Sequence, residues 1–419
     1  MNLFVPVTAK GEEINLIQFW FFKFSWLWPL ASNSPKYDLV LVNLLALLGL
    51  SCFVGTVYAE FLFMNDHEGD LAKIAECLCT TFIGTQFIIR ILHLMFRRHQ
   101  MRDVLKKFYG SIYVPKSENE QLHIACEKSL RLVYFMSFTF FVTLSLMFTA
   151  VGLLVIGDPH SRTKPYLYKM RFAYDSQDPW NYAFTTLYTG WVGFASVTLI
   201  AAQDCFIGTT LTYCAARYDL LQNDLDTLYE RSIRSFEYPS KPLQDFHKVF
   251  RRKLGIIIQK QQDLDRFMPD LQSFVSVTLF VLISFGVFLL CVLAFQLAKN
   301  DLSIETLKYF FWLVSQCLEF VVVGSFGQRC TDAAAKMANS YYMCNWESLL
   351  DFGDVKANAE LIRDISFAIY RSQKSVHLNG MKFVILSLSS IGSAMSSSVS
   401  YFMFLNTMED ISSKRNGNK

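Results

Sequence analysis

The chain has 419 residues, of which 52% are hydrophobic and 16% aromatic, and its mean hydropathy is positive. Charged residues make up only 18%, against roughly 25% in ordinary globular proteins, which excludes a string of soluble domains and points to one polytopic domain with the lipid bilayer as a partner. A formal net charge of +3 is too small for a nucleic-acid binder, so no nucleic acid is expected.

The first apolar run, LIQFWFFKFSWLWPL at 16–30, is short, contains Lys23 and lacks a small-residue cleavage site. Its Trp and Phe content reads as a helix lying in the membrane interface rather than a signal peptide or an additional span. It belongs to an N-terminal segment at 1–37. Seven longer stretches follow, at about 38–64, 71–96, 131–156, 181–216, 268–298, 305–329 and 380–405. Each is near or above the ~20 residues that cross ~30 Å of hydrocarbon. The fourth and sixth overrun without a break, so those helices are expected to continue into water. The fold class is all-α, a polytopic bundle of seven transmembrane helices.

Lys and Arg counts orient the bundle. With a cytoplasmic N-terminus, 28 basic residues fall on inner segments and nine on outer ones. The expectation is N-terminus inside and an extracellular tail at 406–419. A seven-span G-protein-coupled receptor has the opposite orientation. The third span also ends VIGDPH with no acidic-Arg-aromatic triplet after it, and the seventh has no Asn-Pro pair before its tyrosine. None of the ten cysteines lies in an expected outer loop, so no structural disulfide is expected.

The inner segments carry helical stripes. Leu221, Leu225 and Leu228 form one, and Phe246, Val249, Phe250, Leu254, Ile257 and Ile258 another, separated by the loop sequence EYPSKP at 237–242. At 331–379, Leu361, Ile362, Ile365 and Ile369 form a seam downstream of Trp346, with breaks at Gly353 and Asn379-Gly380. These stripes pack together within one subunit, and any surplus invites a neighbour. Trp346, Leu361, Ile365 and Ile369 are therefore the expected subunit anchor.

No catalytic constellation is present in the sequence: the histidines are scattered, and no phosphate loop, HExxH or GxSxG occurs. Neither a catalytic residue nor a cofactor nor a metal site is expected. Arg90 and His93 lie toward the inner end of span two, where snorkelling accounts for them. Asp204 and Glu319 sit in spans four and six, either lining a hydrated path or pairing with a basic residue of another helix. The outer half of the bundle offers Thr80, Thr81 and Phe82 on span two, Met147, Phe148 and Val151 on span three, Tyr188, Trp191 and Phe194 on span four, and Tyr309, Phe310 and Trp312 opening span six. If they converge, they enclose an apolar pocket with a few hydroxyls for a small hydrophobic volatile ligand; otherwise they are bundle packing or lipid-facing rings.

The last span is rich in serine. At 100° per residue, Ser393, Ser397, Ser400, Phe404 and Met408 share one narrow stripe. Small residues permit close helix packing. A row of hydroxyls ending in bulky apolar side chains equally suits a hydrated conduit with a hydrophobic gate.

From 336 onward the chain reads KMANSYYMCNWESLL, then LIRDISFAIYRSQKSVHLNGMKFVILSLSSIG and SYFMFL. This resembles the carboxy-terminal signature of insect odorant receptors. The resemblance implies a ligand-gated, non-selective cation channel of four subunits, joined by a cytoplasmic anchor and lined by the last span, with odorants bound in the outer half at 38–330. It puts the gate on Phe404 and Met408, although family gates usually carry smaller aliphatic residues. The obligate co-receptor, Orco, is longer between spans four and five. This chain is instead similar to the ligand-tuning subunits that assemble with Orco in a heterotetramer. A pore-less seven-span receptor signalling through a cytoplasmic partner is the alternative.

Overall fold

A computed structural model describes residues 2–8, 11, 14, 17–157, 164–235, 243–299 and 304–417. Among them, six helices are long and apolar enough to cross a membrane: α2 (Lys36–Asp66), α3 (Leu71–Phe96), α5 (Glu120–Gly157), α6 (Pro179–Asp226), α8 (Leu243–Lys299) and α9 (Ile304–Tyr342). The seventh expected span lies within α11 (Leu388–Gly417), long enough to cross but diluted in hydropathy by its serines. The chain is an all-α, multi-pass membrane protein. Short helices α1 (Ile17–Phe24), α4 (Arg98–Lys107), α7 (Leu228–Arg234) and α10 (Val355–Ser372) complete it. By alternation of the spans, α4, α7 and α10 gather at one end, the anchor end. The α2–α3 turn and the strap 164–178 occupy the other.

α6 is the hub. In its most apolar window 89% of residues are buried, against 22% in α2. Ala201, Ala202, Gly208, Ala215 and Ala216 thin its surface so that neighbours approach closely. A Cβ on Gly208 would stand 2.9 Å from Val133 of α5. α2 instead turns Leu44, Leu47 and Leu48 outward, as a lipid-facing helix does. At the start of α3, Asp70 accepts from the Lys73 amide at 3.2 Å, and that bond holds its carboxyl below the usual carboxylate range.

Two boundaries differ from the sequence reading. Span five does not start at 268: the stripe at 246–258 is an inner extension of it, the first part of α8, which runs unbroken to Lys299 with Pro269 inside it. The loop sequence at 237–242 lies outside the described residues. Span seven does not start at 380. Asn379–Gly380 (β1) pairs antiparallel with Val384–Ile385 (β2), and Phe383 N donates to Gly380 O at 2.9 Å. Met381 and Lys382 both take positive φ, 49° and 66°, the backbone of a tight primed turn, held by side chains that disfavour it. Gly380 lies against the Phe280 backbone, where a Cβ would come within 2.8 Å.

The run at 16–30 also does more than lie in the interface. α1 packs on α6, with Phe22 edge-to-face on Phe206 at 6.4 Å, and Trp28 buried and donating from Nε1 to Phe4 O at 2.8 Å.

At the anchor end, Leu361 and Ile365, expected at a subunit contact, are buried within this same chain. The seam closes on α9 because that is the nearest apolar surface. Ile369 is half-buried against the same core, and Trp346 begins a short 3-10 turn, donating to Tyr342 O at 3.2 Å. Arg251 of α8 clamps α10, donating to Asp364 Oδ2 at 2.8 Å and to Glu360, whose carboxyl it holds below the usual range. Ile362, Phe367 and Tyr370 remain exposed.

α11 enters against two glycines of α9. A Cβ on Gly327 would meet Leu386 Cγ at 2.5 Å, and one on Gly324 would meet Ile391 at 2.7 Å. Gly327→Val is therefore expected to push α11 off α9, costing about 1–3 kcal/mol by overpacking. Thermal melting of the detergent-solubilised protein measures this, and an unchanged midpoint would refute it.

Candidate functional site

In the strap-end half of the bundle, α2, α3, α5, α6 and α9 enclose a narrow cavity. Its walls are apolar: Phe53 of α2, Ile83 of α3, Phe140, Leu144 and Met147 of α5, Val192, Val197 and Ile200 of α6, and Trp312 of α9. The strap closes it with Tyr168, whose hydroxyl lies over Gly193, a position any larger residue would deny it. Thr56, Thr80, Thr143 and Ser196 supply hydroxyls. Each donates back to a helix carbonyl: Thr56 to Cys52, Thr80 to Cys77, Thr143 to Thr139 and Ser196 to Val192, at 2.8–2.9 Å.

Toward the strap end a second, more polar pocket shares Thr80, Met147, Tyr168 and Trp312 with the cavity. Tyr309 donates to Glu76 Oε1 at 2.8 Å, and Lys169 and Lys308 each lie 3.9 Å from the same carboxylate. The strap is fixed further by Arg171, whose amide donates to Ala59 O at 3.0 Å and whose guanidinium pairs with Asp66. These bonds set polar groups across the strap end of the cavity, whose lining is apolar apart from Glu60 and the hydroxyls.

The expected ligand-binding residues divide between these surroundings. Thr80, Met147 and Trp312 line the cavity; Val151 and Tyr309 line the pocket above it. Thr81, the residue after Thr80, faces aside and donates to Glu60 Oε2 at 3.0 Å. Phe82 turns toward α8 and stacks on Phe288 at 5.8 Å. Tyr188 bonds Cys52 O at 2.6 Å, tying α6 to α2. Phe148 covers Gly190 from the outer side, and Phe310 is exposed beside Phe311. Trp191 and Phe194 pack on Phe24 of α1. Trp191 also borders a groove between α1, α2 and α6 that lies behind the cavity walls Phe53 and Val192.

The sequence reading missed Glu60, Phe53, Phe140, Leu144, Tyr168, Val192 and Gly193. Glu60 had a signal: an acidic residue inside an apolar span is a functional candidate by default. Tyr168 had none, because a loop residue shows no periodicity.

Farther toward the anchor end, Arg90 of α3 is 0% exposed and faces Asp204 of α6 and Glu319 of α9. It does not snorkel; the carboxyls of two other helices draw it inward. Gln86, with its amide oxygen turned toward the guanidinium, accepts from Arg90 Nε at 3.2 Å. Gln316 donates to Glu319 Oε2. One guanidinium thus lies near two carboxyls where three helices meet, without a direct ion pair to either: among the described residues Arg90 Nη1, both Asp204 carboxylate oxygens and Glu319 Oε1 have no hydrogen-bond partner.

On α11, Ser393, Ser397, Ser400, Phe404 and Met408 are all exposed, Phe404 at 62%. Ile391 and Ser398 are buried on the other side of the helix, where α11 packs on α8 and α9. The stripe points away from the body of its own chain. The serine hydroxyls donate to carbonyls one turn back, Ser397 to Ser393 O at 3.0 Å and Ser400 to Ser396 O at 3.2 Å, leaving their lone pairs outward.

Comparison with known proteins agrees with this architecture. The family model described as 7tm Odorant receptor matches residues 70–399. Odorant receptor 13a of Drosophila melanogaster is 26% identical over 363 residues, 84% of each chain. Odorant receptor 35a of the same fly is 23% identical over 416 residues, 98% of each chain. Among solved structures, the insect olfactory receptor OR5 from Machilis hrabei superimposes with a TM-score of 0.73 at 13% identity, covering 93% of this chain and 96% of that one. The same receptor in complex with eugenol gives 0.70 at 12% identity, covering 94% and 98%. At such identities the structural likeness establishes the fold.

Proposed function

The chain belongs to the 7tm odorant receptor family, and on that premise we propose that it is the odorant-binding subunit of a heteromeric, odorant-gated, non-selective cation channel. Membership in an odorant-receptor family supports a receptor or channel rather than an enzyme. The channel, the Orco partner, the four-subunit assembly and a plasma-membrane site in a sensory dendrite are the proposal. So are the cytoplasmic N-terminus and the division into ligand-binding spans, anchor, pore helix and extracellular tail.

The observation that carries the reading is the outward stripe on α11. A membrane helix that turns five hydroxyl and bulky apolar side chains away from its own bundle needs a partner surface or water there. Four subunits around an axis supply both: the serines of this helix line a hydrated path, and Phe404 and Met408 contribute to a ring that closes it by dewetting. The enclosed apolar cavity supplies the ligand site, and the exposed Ile362, Phe367 and Tyr370 of α10 supply surface for a neighbouring anchor.

The decisive experiment records membrane current in cells expressing this chain with and without Orco, under a panel of volatiles, with G-protein signalling blocked. A rapid non-selective cation current requiring both chains is expected. A response abolished by the G-protein block would overturn the channel in favour of a pore-less receptor. Within the cavity, Trp312→Ala removes a buried wall and is expected to shift the half-maximal odorant concentration about tenfold or more, as loss of a large aromatic contact does. A dose–response curve superimposing on the wild type would remove Trp312 from the ligand site.

A further inference from the structure

Glu60 is the one charged side chain among the described residues that line the cavity, and it is 0% exposed. Oε2 accepts from Thr81, while Oε1 has no partner. The hydroxyls around it do not fill that vacancy. Thr80 lies close enough to bear on the carboxyl, but its hydroxyl is also placed to donate to Cys77 O; Thr56, Thr143 and Ser196 donate to helix carbonyls. Among the described residues no cation is ion-paired with Glu60. A buried polar atom left unmatched is costly, and this one belongs to a residue that lines the cavity.

Building on the odorant-binding reading above, we propose that Glu60 is the polar anchor of this cavity and selects small apolar molecules bearing a hydroxyl group, alcohols or phenols. The chemistry singles out this class. An ionised carboxyl only accepts, so it matches alcohols and amines but rejects ketones, esters and ethers. A neutral carboxyl also donates, and then carbonyl compounds fit while an ammonium does not. A hydroxyl both donates and accepts, so it pairs with Glu60 in either form. The apolar walls hold the hydrocarbon body, and an analogue that can only accept, such as an ether, leaves the ionised Oε1 unpaired and is rejected.

The test uses matched probes: the primary alcohols from 1-butanol to 1-octanol and the methyl ether of each. Binding is read as thermal stabilisation of the purified full chain in lipid nanodiscs, and gating as current in cells co-expressing Orco. The wild type is expected to favour alcohol over ether on the order of tenfold or more. Glu60→Leu is expected to abolish that ratio by weakening the alcohol and sparing the ether, and Glu60→Gln, whose amide can donate to an ether oxygen, to lower it by admitting the ether. An equal response to alcohol and ether in the wild type overturns the proposal, whatever the variants do. An unchanged ratio in Glu60→Leu overturns it too, as does an equal loss for both probes. Should Glu60→Leu fail to fold, a Glu60→Gln ratio unchanged from the wild type overturns it. Alcohol-selective binding without current in any combination supports the anchor while refuting the channel.

Discussion

Arg90→Leu is expected to leave little folded protein at the cell surface. The substitution strands Asp204 and Glu319 in the interior without a cation. Removing one partner of a buried ionic group costs on the order of 3–5 kcal/mol, largely because the abandoned charge keeps no solvent. Total stabilities run only to roughly 5–15 kcal/mol, so one substitution consumes a large part of the margin. Gln86 loses its donor as well. The partners are not equivalent. Asp204→Asn leaves Arg90 opposite one carboxyl, a matched pair, and is expected to melt near or above the wild type. Replacing Arg90, Asp204 and Glu319 together by Leu removes every charge and is expected to recover much of the loss. Fluorescence-detected gel filtration and melting in detergent read all three. An Arg90→Leu variant that melts like the wild type would show that the cluster does not hold α3, α6 and α9 together.

That cluster also illustrates what the sequence withholds. A charged residue in an apolar span is visible at once, but its partner lies on another helix more than a hundred residues away. Position near a helix end therefore made Arg90 look like a snorkelling residue. Spans were legible for a simple reason: a helix in hydrocarbon must be apolar for about twenty residues, and nothing else in the chain is. Their ends were not, because a helix leaving the membrane into a packed anchor stays amphipathic, so α8 continues the stripe at 246–258 into span five. Met381, Phe383 and Val384 read as the start of span seven, when only Asn379-Gly380 hinted at a hairpin. The cavity was half legible. Thr80, Met147 and Trp312 line it, while Phe82, Trp191 and Phe310 face elsewhere, because an all-round apolar helix does not reveal which side meets protein and which meets lipid. The serine stripe escaped this ambiguity, since hydroxyls at one azimuth mark a face that apolar residues cannot.

The same stripe yields the second large effect. Phe404→Ser is expected to raise the unliganded cation current of the complex with Orco several-fold, with a smaller further increase on adding odorant. If Phe404 and Met408 close the path, their role is to make it too narrow and too apolar for water; a hydroxyl there removes both properties and continues the row begun by Ser393, Ser397 and Ser400. Met408, one turn further along, remains as a partial barrier, so Phe404→Ser with Met408→Ser is expected to exceed either change alone. Val399 provides the control: it is exposed, at 53%, but lies off the stripe. Val399→Ser changes surface polarity without touching the path, and its basal current is expected to match the wild type. Equal effects from Val399 and Phe404 would mean that loosened packing, not a gate, opens the complex. No change at Phe404 would move the constriction off this chain and onto the residues its partner contributes to the ring.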